Sequence, residues 1–375
     1  MLTIHKIDTS VKKEVNDFVK FPFGLYEDVP QWVPPIKSGI RDTLDRNKHP
    51  YYEHSDADFF LAKDGKDIVG RIAVLENKEY NKYHDKKQAS FYFYESIDDQ
   101  KVADKLFETA YDWSHARGLN YFLGPKGFSP FDGYGFVVEG FEYRQMMTMM
   151  NYNKPNYPAF MEHQGFTKVL DWVSCYADLT QFTMPEKIRT VADKVRKQGK
   201  FKVHKLSSKA ELKRYVPLIG QAYNKTFVNN WEYYPLTQKE VDWALQDLTL
   251  VALPDLIKII TYNDEIVGFL LAFPDISAAI QRHQGSLTPL SIVDILRELK
   301  KSEWIDFNGV GVLPEYQGSG GNALLFDEIE KTAKSHNFIH GELTNIAESA
   351  VQMRKDLENL GVKPYKNHRI FGKSI

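Results

Sequence analysis

One cysteine, Cys175, stands in a chain of 375 residues. That excludes an intrachain disulfide and a cysteine-based zinc site, and it fits a reducing compartment. Its flanks, Trp172-Val-Ser and Tyr176-Ala, read as a strand, so a buried thiol is expected. An excess of charge of either sign is also missing. Lys+Arg 48 against Asp+Glu 50 leaves a net −2, so no global field invites a nucleic acid, and no nucleic-acid partner is expected. No apolar run approaches the ~20 residues of a membrane span, and Met1-Leu-Thr-Ile-His-Lys6 has no apolar signal core. The expectation is a cytoplasmic protein with no membrane partner, as a monomer or homodimer. Eleven histidines include no His-Glu-x-x-His pair, and neither a Gly-x-Ser-x-Gly elbow nor a lysine-containing P-loop occurs. No metal is expected.

What is present is a globular composition, 43% hydrophobic and 14% aromatic, over a length that favours two or three domains. The most informative segment is Val312-Leu-Pro-Glu-Tyr-Gln-Gly-Ser-Gly-Gly-Asn322. Before it, Trp304 to Val312 is rich in β-branched and aromatic residues. After it, Leu325, Ile329 and Ala333 recur on one face of a helix. Between strand and helix lie Gly318, Gly320 and Gly321, with no acidic side chain from Tyr316 until Asp327. Such a loop can turn backbone N–H groups inward at the positive end of a helix dipole, a setting for phosphate. A plain glycine-rich turn is the competing reading.

The chain also repeats itself. Lys63 to Val74 and Tyr262 to Ala272 are both hairpins built around Ile-Val-Gly. Glu162-His-Gln-Gly-Phe166 and Glu358-Asn-Leu-Gly-Val362 each close a helix with glycine before a strand. Gly70 and Gly165 are 95 residues apart, Gly268 and Gly361 93, so duplication of one unit is the better explanation. Copies at 1–182 and 201–375 follow, each opening on a strand (Leu2 to Ile7; Phe201 to Leu206). In the second copy the spacing predicts a hairpin near 257–273, strand 304–312, helix 321–336, strand 339–345, helix 348–360 and strand 364–371. The segment 183–200 between them predicts a linking helix, with Ile188, Val191, Ala192 and Val195 on one face and its basic residues on a solvated one.

The first copy has no counterpart of the glycine loop. Phe91 to Glu95 is followed by Ser96-Ile-Asp-Asp-Gln100, where Asp98 and Asp99 occupy the helix start, cap it and satisfy its dipole. They would repel a diphosphate by a few kcal/mol at ~4 Å and an effective dielectric near 20. In its place the first copy has Leu123-Gly-Pro-Lys-Gly-Phe-Ser-Pro-Phe-Asp-Gly-Tyr-Gly135, then the methionine run 146–150 and the polar aromatic run 151–157. These read either as a wall for an acceptor or as packing.

Val-x-Pro-x-x-Gln-Gly-x-Gly resembles motif A of the GCN5-related N-acetyltransferases (GNAT), whose loop holds the pyrophosphate of acetyl-CoA. Val312, Pro314, Gln317, Gly318 and Gly320 carry the match, while Asn322 replaces the last small residue. The whole chain resembles an uncharacterised bacterial group of tandem GNAT-like proteins, in the Gly-Pro loop, Tyr223-Asn224, Asn230-Trp231 and Tyr365-Lys-Asn-His-Arg-Ile370. The resemblance implies an α+β fold: two tandem domains, each a mixed, mostly antiparallel sheet flanked by helices, the first without a CoA loop. It implies an acyl-CoA-dependent N-acyltransferase, acetyl-CoA on the second copy and a small-molecule or peptide amine in the cleft toward the first. Cofactor contacts would come from Val310, Gly311 and Val312 on the strand, from Gln317, Gly318, Ser319, Gly320, Gly321 and Asn322 in the loop, and from Asn345.

Amide formation needs the ammonium to lose a proton and the thiolate to gain one. Asp306 and Asn308 share one strand face by alternation, and of the two only Asp306 can take a proton. The family's usual acid is a tyrosine in the helix after the next strand. Counting back from Gly361, that position falls on Leu357, so Tyr365 is the nearest substitute and His368 the second. Trp231 to Pro235 reads as an acceptor wall or a packing corner. Two other readings stay open: a FemABX-like aminoacyl transferase and a non-catalytic CoA-binding or CoA-sensing protein.

Overall fold

The structure is a computed structural model that describes residues 1–147 and 150–375. Of the methionine run, Thr148 and Met149 lie outside the described residues. The chain forms two compact units, and neither is contiguous. The first comprises Met1–Trp172, Ser277–Ile295 and Lys366–Ile375; the second comprises Val173–Ile276 and Leu296–Tyr365.

The first stretch of chain runs β1 (Leu2–Lys6), α1 (Lys12–Leu25), α2 (Lys37–Leu44), β2 (Asp56–Asp64), β3 (Asp67–Glu76), α3 (Lys78–His84), β4 (Gln88–Ser96), α4 (Gln100–His115), β5 (Tyr121–Gly124), β6 (Phe136–Glu139), α5 (Tyr157–His163) and β7 (Thr167–Asp178). The rest runs α6 (Glu186–Gln198), β8 (Lys202–Lys205), α7 (Lys209–Thr226), α8 (Gln238–Val251), β9 (Lys258–Tyr262), β10 (Glu265–Pro274), α9 (Ser277–Arg282), α10 (Pro289–Lys301), β11 (Trp304–Val312), α11 (Gly321–Ser335), β12 (His340–Ala347), α12 (Val351–Leu360) and β13 (Lys363–Ser374). The order β-α-α-β-β-(helices)-β-α-β-α-β recurs, as the repeat in the sequence predicts, with β6 added in the first copy.

Within the first unit the sheet runs β1-β2-β3-β4-β5-β13-β7, with β4 and β5 parallel and most other pairs antiparallel. The residues after Tyr365, expected at the end of the second copy, lie in this unit. Phe371 pairs with Gly124 and is buried with Phe91, Phe122 and Phe136 under α4. Arg369 grips Asp171 of β7 with Nε at 2.8 Å and Nη2 at 3.0 Å, a fork that holds two strands in register.

In the second unit the order is β7-β12-β11-β10-β9-β8, with β11 and β12 parallel and β11-β10-β9-β8 antiparallel. Ile305, Phe307, Val310 and Val312 face α11, where they meet Leu324, Leu325 and Ile329. The opposite face of β9 and β10, with Ile259, Phe269 and Leu271, packs against α7. The linking helix α6 belongs here and lies on α11. Its basic face is exposed, as the pattern predicts, and it is also ion-paired. Arg189 and Arg196 reach Asp327, Glu328 and Glu330 of α11 at 2.6–3.4 Å, and Lys331 and Lys334 close the network.

Candidate functional site

The site begins with a strand that loses its neighbour. The parallel ladder of β11 on β12 runs from Trp304–His340 to Phe307–Leu343 and ends there. Residues 309–312 continue paired to β10 alone, and the register shift between Leu271 and Ala272 skips Asn308. A bulge bends one strand away from its partner. On β12 the chain turns as well, since Asn345 adopts a left-handed φ of 53° and its N–H bonds the Ser174 hydroxyl at 3.3 Å. The result is an open wall, the main chain of Asn308, Gly309, Val310, Gly311 and Val312, with no ladder to β12 beside it.

Below that wall the glycine segment makes a tight connection. Gln317 donates its side-chain amide to the Val312 carbonyl at 3.2 Å, tying the loop to the strand end. The Ser319 hydroxyl bonds the Tyr316 carbonyl. Gly318 has φ 73° with open space where a Cβ would lie, so it is free of packing demands. Gly320, φ 87°, is the residue from which α11 departs, and Leu324 N–H bonds its carbonyl at 3.1 Å. A Cβ on Gly320 would sit 2.6 Å from Val195 Cγ2 of α6, so this glycine serves packing as well as conformation. Gly321 is pressed against Ile260 and Val312. Asn322 does not cap the helix. It lies inside α11 and donates to Asp356 Oδ2 at 3.0 Å, with its own Oδ1 buried and unpartnered. The first turn of α11 carries no acidic residue, which leaves its N–H groups to an anion.

Facing away from α11, the parallel register sets Asp306 directly beside Glu342. Both are buried, at 1% and 0% exposure. Asp306 accepts the Thr344 hydroxyl and, at 2.9 Å, the Asn308 amide, whose oxygen is buried without a partner. Glu342 accepts the Tyr365 hydroxyl. Tyr365 rings lie 5.9 Å from Tyr176, and Tyr176 bonds His340 Nδ1 at 2.8 Å. Asp306, Asn308 and Tyr365 thus fall in one polar cluster, and Glu342 and Thr344 join them unforeseen. The signal was there in His340-Gly-Glu-Leu-Thr344, whose polar residues alternate, but the register to β11 was needed to read it. Leu357, at the family's tyrosine position, is 5% exposed and part of the core. His368 is elsewhere, in the first unit, where it is buried and bonds the Asn151 carbonyl at 2.9 Å.

The same places in the first copy are filled by its own groups. Gly70 pairs with Ser96 as Gly268 pairs with Val312, which matches Glu95 to Gly311. There too the parallel ladder is short, Gln88–Tyr121 to Ser90–Leu123. Beyond it the Lys126 N–H takes the Phe91 carbonyl at 2.9 Å, and the Tyr157 hydroxyl takes the Ser96 N–H at 2.8 Å. Asp99 caps α4 through the Lys101 N–H at 2.9 Å, and Asp98 accepts the Asn156 amide at 2.5 Å. Glu95 is buried and accepts the Tyr26 hydroxyl at 2.5 Å; burial pushes its carboxyl up to about 7, although Arg71 and the two tyrosines pull it back. In the Gly-Pro loop Phe128 is 2% exposed and packs with Phe59, and Met146 and Met150 are buried too. Tyr234 is likewise buried, bonded to Glu240 at 3.2 Å. Cys175 is buried, and burial raises its thiol to about 11. Among the described residues, no helix is long and apolar enough to cross a membrane, and no group of His, Cys, Asp and Glu could hold a metal ion.

No family model matches this chain. Two curated proteins are similar along almost all of it. Protein YghO of Escherichia coli is 28% identical over 97% of this chain and 94% of its own. Bacterial ceramide synthase of Caulobacter vibrioides is 26% identical over 98% of this chain and 97% of its own. Among solved structures, a tandem GNAT protein from the clavulanic acid biosynthesis pathway superposes with a TM-score of 0.57 at 10% identity, covering all of this chain and 98% of that one. A GCN5-related N-acetyltransferase from Sphaerobacter thermophilus gives 0.53 at 13% identity, covering all of this chain and 95% of that one.

Proposed function

We propose that this chain, whose fold is that of the tandem GCN5-related N-acetyltransferases, is an acyl-CoA-dependent N-acyltransferase. The observation that carries the reading is the contrast between the copies. The second has a strand released from its neighbour above an acid-free helix start, and the first has both features stopped with its own hydroxyls, amides and carboxylates.

The residues present fit a CoA thioester. Main chain of Val310, Gly311 and Val312 would bond the pantetheine arm; Gln317, Gly318, Ser319, Gly320 and Gly321 at the start of α11 would hold the pyrophosphate. Asn345 would flank the arm from β12, and Asn322 would act by fixing α12 through Asp356 and not by touching phosphate. When bound, the thioester supplies the activated acyl carbon. The amine attacks it, the C–N bond forms, the C–S bond breaks and the thiolate leaves. In this reading Asp306, bonded by Thr344 and Asn308, takes the ammonium proton. In the same reading Tyr365, held by Glu342, returns one to the departing sulfur.

The name of the Caulobacter relative favours one refinement of the substrate. Ceramide is the N-acyl amide of a long-chain amino alcohol, so the donor panel should run from acetyl-CoA to long-chain acyl-CoA and the amines should include a sphingoid base. Binding is tested first, by thermal shift with CoA and acyl-CoA against a Ser319→Glu variant, which adds a carboxylate in the loop without touching Gly320. Ligand at 100 times its Kd should stabilise the wild type by about 2.7 kcal/mol, and the variant should show no shift. If no acyl-CoA moves the wild-type transition, the reading is wrong. A free-thiol assay then follows turnover: Asp306→Asn and Tyr365→Phe should each lower kcat by about 10²-fold or more with CoA binding intact.

A further inference from the structure

Between β10 and β11 the second copy carries 29 residues, 275–303, where the first has only 77–87 between β3 and β4. Residues 277–295 of this insertion belong to the first unit and are anchored there. Gln281 donates to the carbonyls of Pro30 and Trp32 at 2.9 and 2.8 Å, and Lys37 N–H takes the Gly285 carbonyl at 2.9 Å. The outer face of α10 is left bare. Leu287, Leu290, Ile292, Val293 and Leu296 are 49, 77, 50, 45 and 52% exposed, five of the fourteen exposed large hydrophobics among the described residues. Exposed apolar side chains scattered singly need no explanation, whereas a contiguous group marks a contact.

The charges on the same helix are sorted. At about 100° per residue, Leu290, Val293, Leu296, Arg297 and Lys300 fall within one arc, apolar at the start of the helix and cationic at its end. Arg297 and Lys300 are exposed, as is Lys301 beside them. The acids of the helix are turned out of this arc, and Asp294 is paired with Arg282 at 2.9 Å and hydrogen-bonded to His283 at 3.0 Å. The exposed face therefore presents apolar area and positive charge that no ion pair among the described residues offsets, in a chain whose net charge is −2. A second copy of the same face offers no carboxylate to meet Arg297 and Lys300. A bilayer with anionic headgroups answers both halves of the pattern, the acyl region taking the leucines and the phosphates taking the cations.

We propose that α10 is an interfacial docking helix that seats this protein on an anionic membrane surface, lying on the bilayer and not crossing it. The inference stands apart from acyl transfer, since it rests on no residue of the β11–α11 site. The test is flotation of the full chain with vesicles of phosphatidylcholine alone or with 30% phosphatidylglycerol. Wild type should float with the anionic vesicles, and raised salt should weaken that binding at least several-fold. Leu290→Asp/Val293→Asp should lose it, and Arg297→Glu/Lys300→Glu should lose it while keeping the wild-type melting temperature. Absence of wild-type protein from the anionic vesicle fraction overturns the proposal. So does a wild-type dimer by light scattering that Leu290→Asp/Val293→Asp converts to a monomer, because the face then belongs to a second copy.

Discussion

At the residue scale, two buried titratable groups in the first unit oppose each other with pH. Burial raises Glu95 from an ordinary 4.5 to about 7, so its contribution to stability is complete below pH 4.5 and is lost as pH rises toward 7. His368 is the reverse. Burial, with Lys366 nearby, lowers it to about 4 from 6.5, so its contribution is complete above pH 6.5 and is lost as pH falls toward 4. Its Nε2–H donates to the Asn151 carbonyl and Nδ1 is buried without a partner, so protonation there would strand a charge. Each contribution is on the order of 3 kcal/mol at 1.4 kcal/mol per pKa unit, and between pH 4.5 and 6.5 they offset. Glu95→Gln should remove one arm. Its unfolding free energy, from denaturant titrations at pH 4.5, 5.5 and 6.5, should climb with pH more steeply than wild type, by roughly 1 kcal/mol per pH unit. Parallel curves for the two proteins would rule the assignment out.

At the element scale, β11 shows what could be read in advance and what could not. Its bounds, Trp304–Val312, the helix from Gly321 and the glycine closing α12 were all legible, because alternation, an apolar face every four residues and a left-handed C-cap are local patterns. The partnership of Asp306 with Thr344 and of Glu342 with Tyr365 depends on which residue of β12 stands opposite which of β11, and that register leaves no local trace. The ion pairs made by the cations of α6 leave no local trace for the same reason. Their acids sit 130 residues or more away on α11, at positions 327, 328 and 330. Gly320 joins both kinds of information, since its φ could be guessed from the loop but its contact with Val195 could not. Gly320→Ala should cost about 1–2 kcal/mol for the left-handed conformation and about 1–3 more for the overlap with α6. A double-mutant cycle with Val195→Ala separates the two. Coupling of about 1 kcal/mol is expected, and additive effects would mean that α6 does not press on the loop.

At the scale of the whole molecule, the duplication does not yield two separable halves. The residues that end the chain, Lys366–Ile375, complete the first unit's sheet between β5 and β7, and Ser277–Ile295 also belongs to that unit. Phe371 fills the aromatic cluster under α4, and Arg369 neutralises Asp171, holding its carboxyl down at about 2. A fragment ending at residue 182 would therefore expose the edges of β5 and β7 and leave a hole the size of a phenylalanine in its core, each a route to aggregation. Expression of 1–182 should give insoluble or molten protein, even though the sequence repeat suggests a natural cut there. Appending 366–375 through a flexible linker should restore the missing strand and a cooperative melt. In the full chain, Phe371→Ala should cost about 3–5 kcal/mol, and Arg369→Ala should destabilise less. Circular dichroism melts of the fragment pair decide the matter. A cooperative transition in unextended 1–182 would show that the first copy carries its own sheet and that the C-terminal strand adds nothing essential to it.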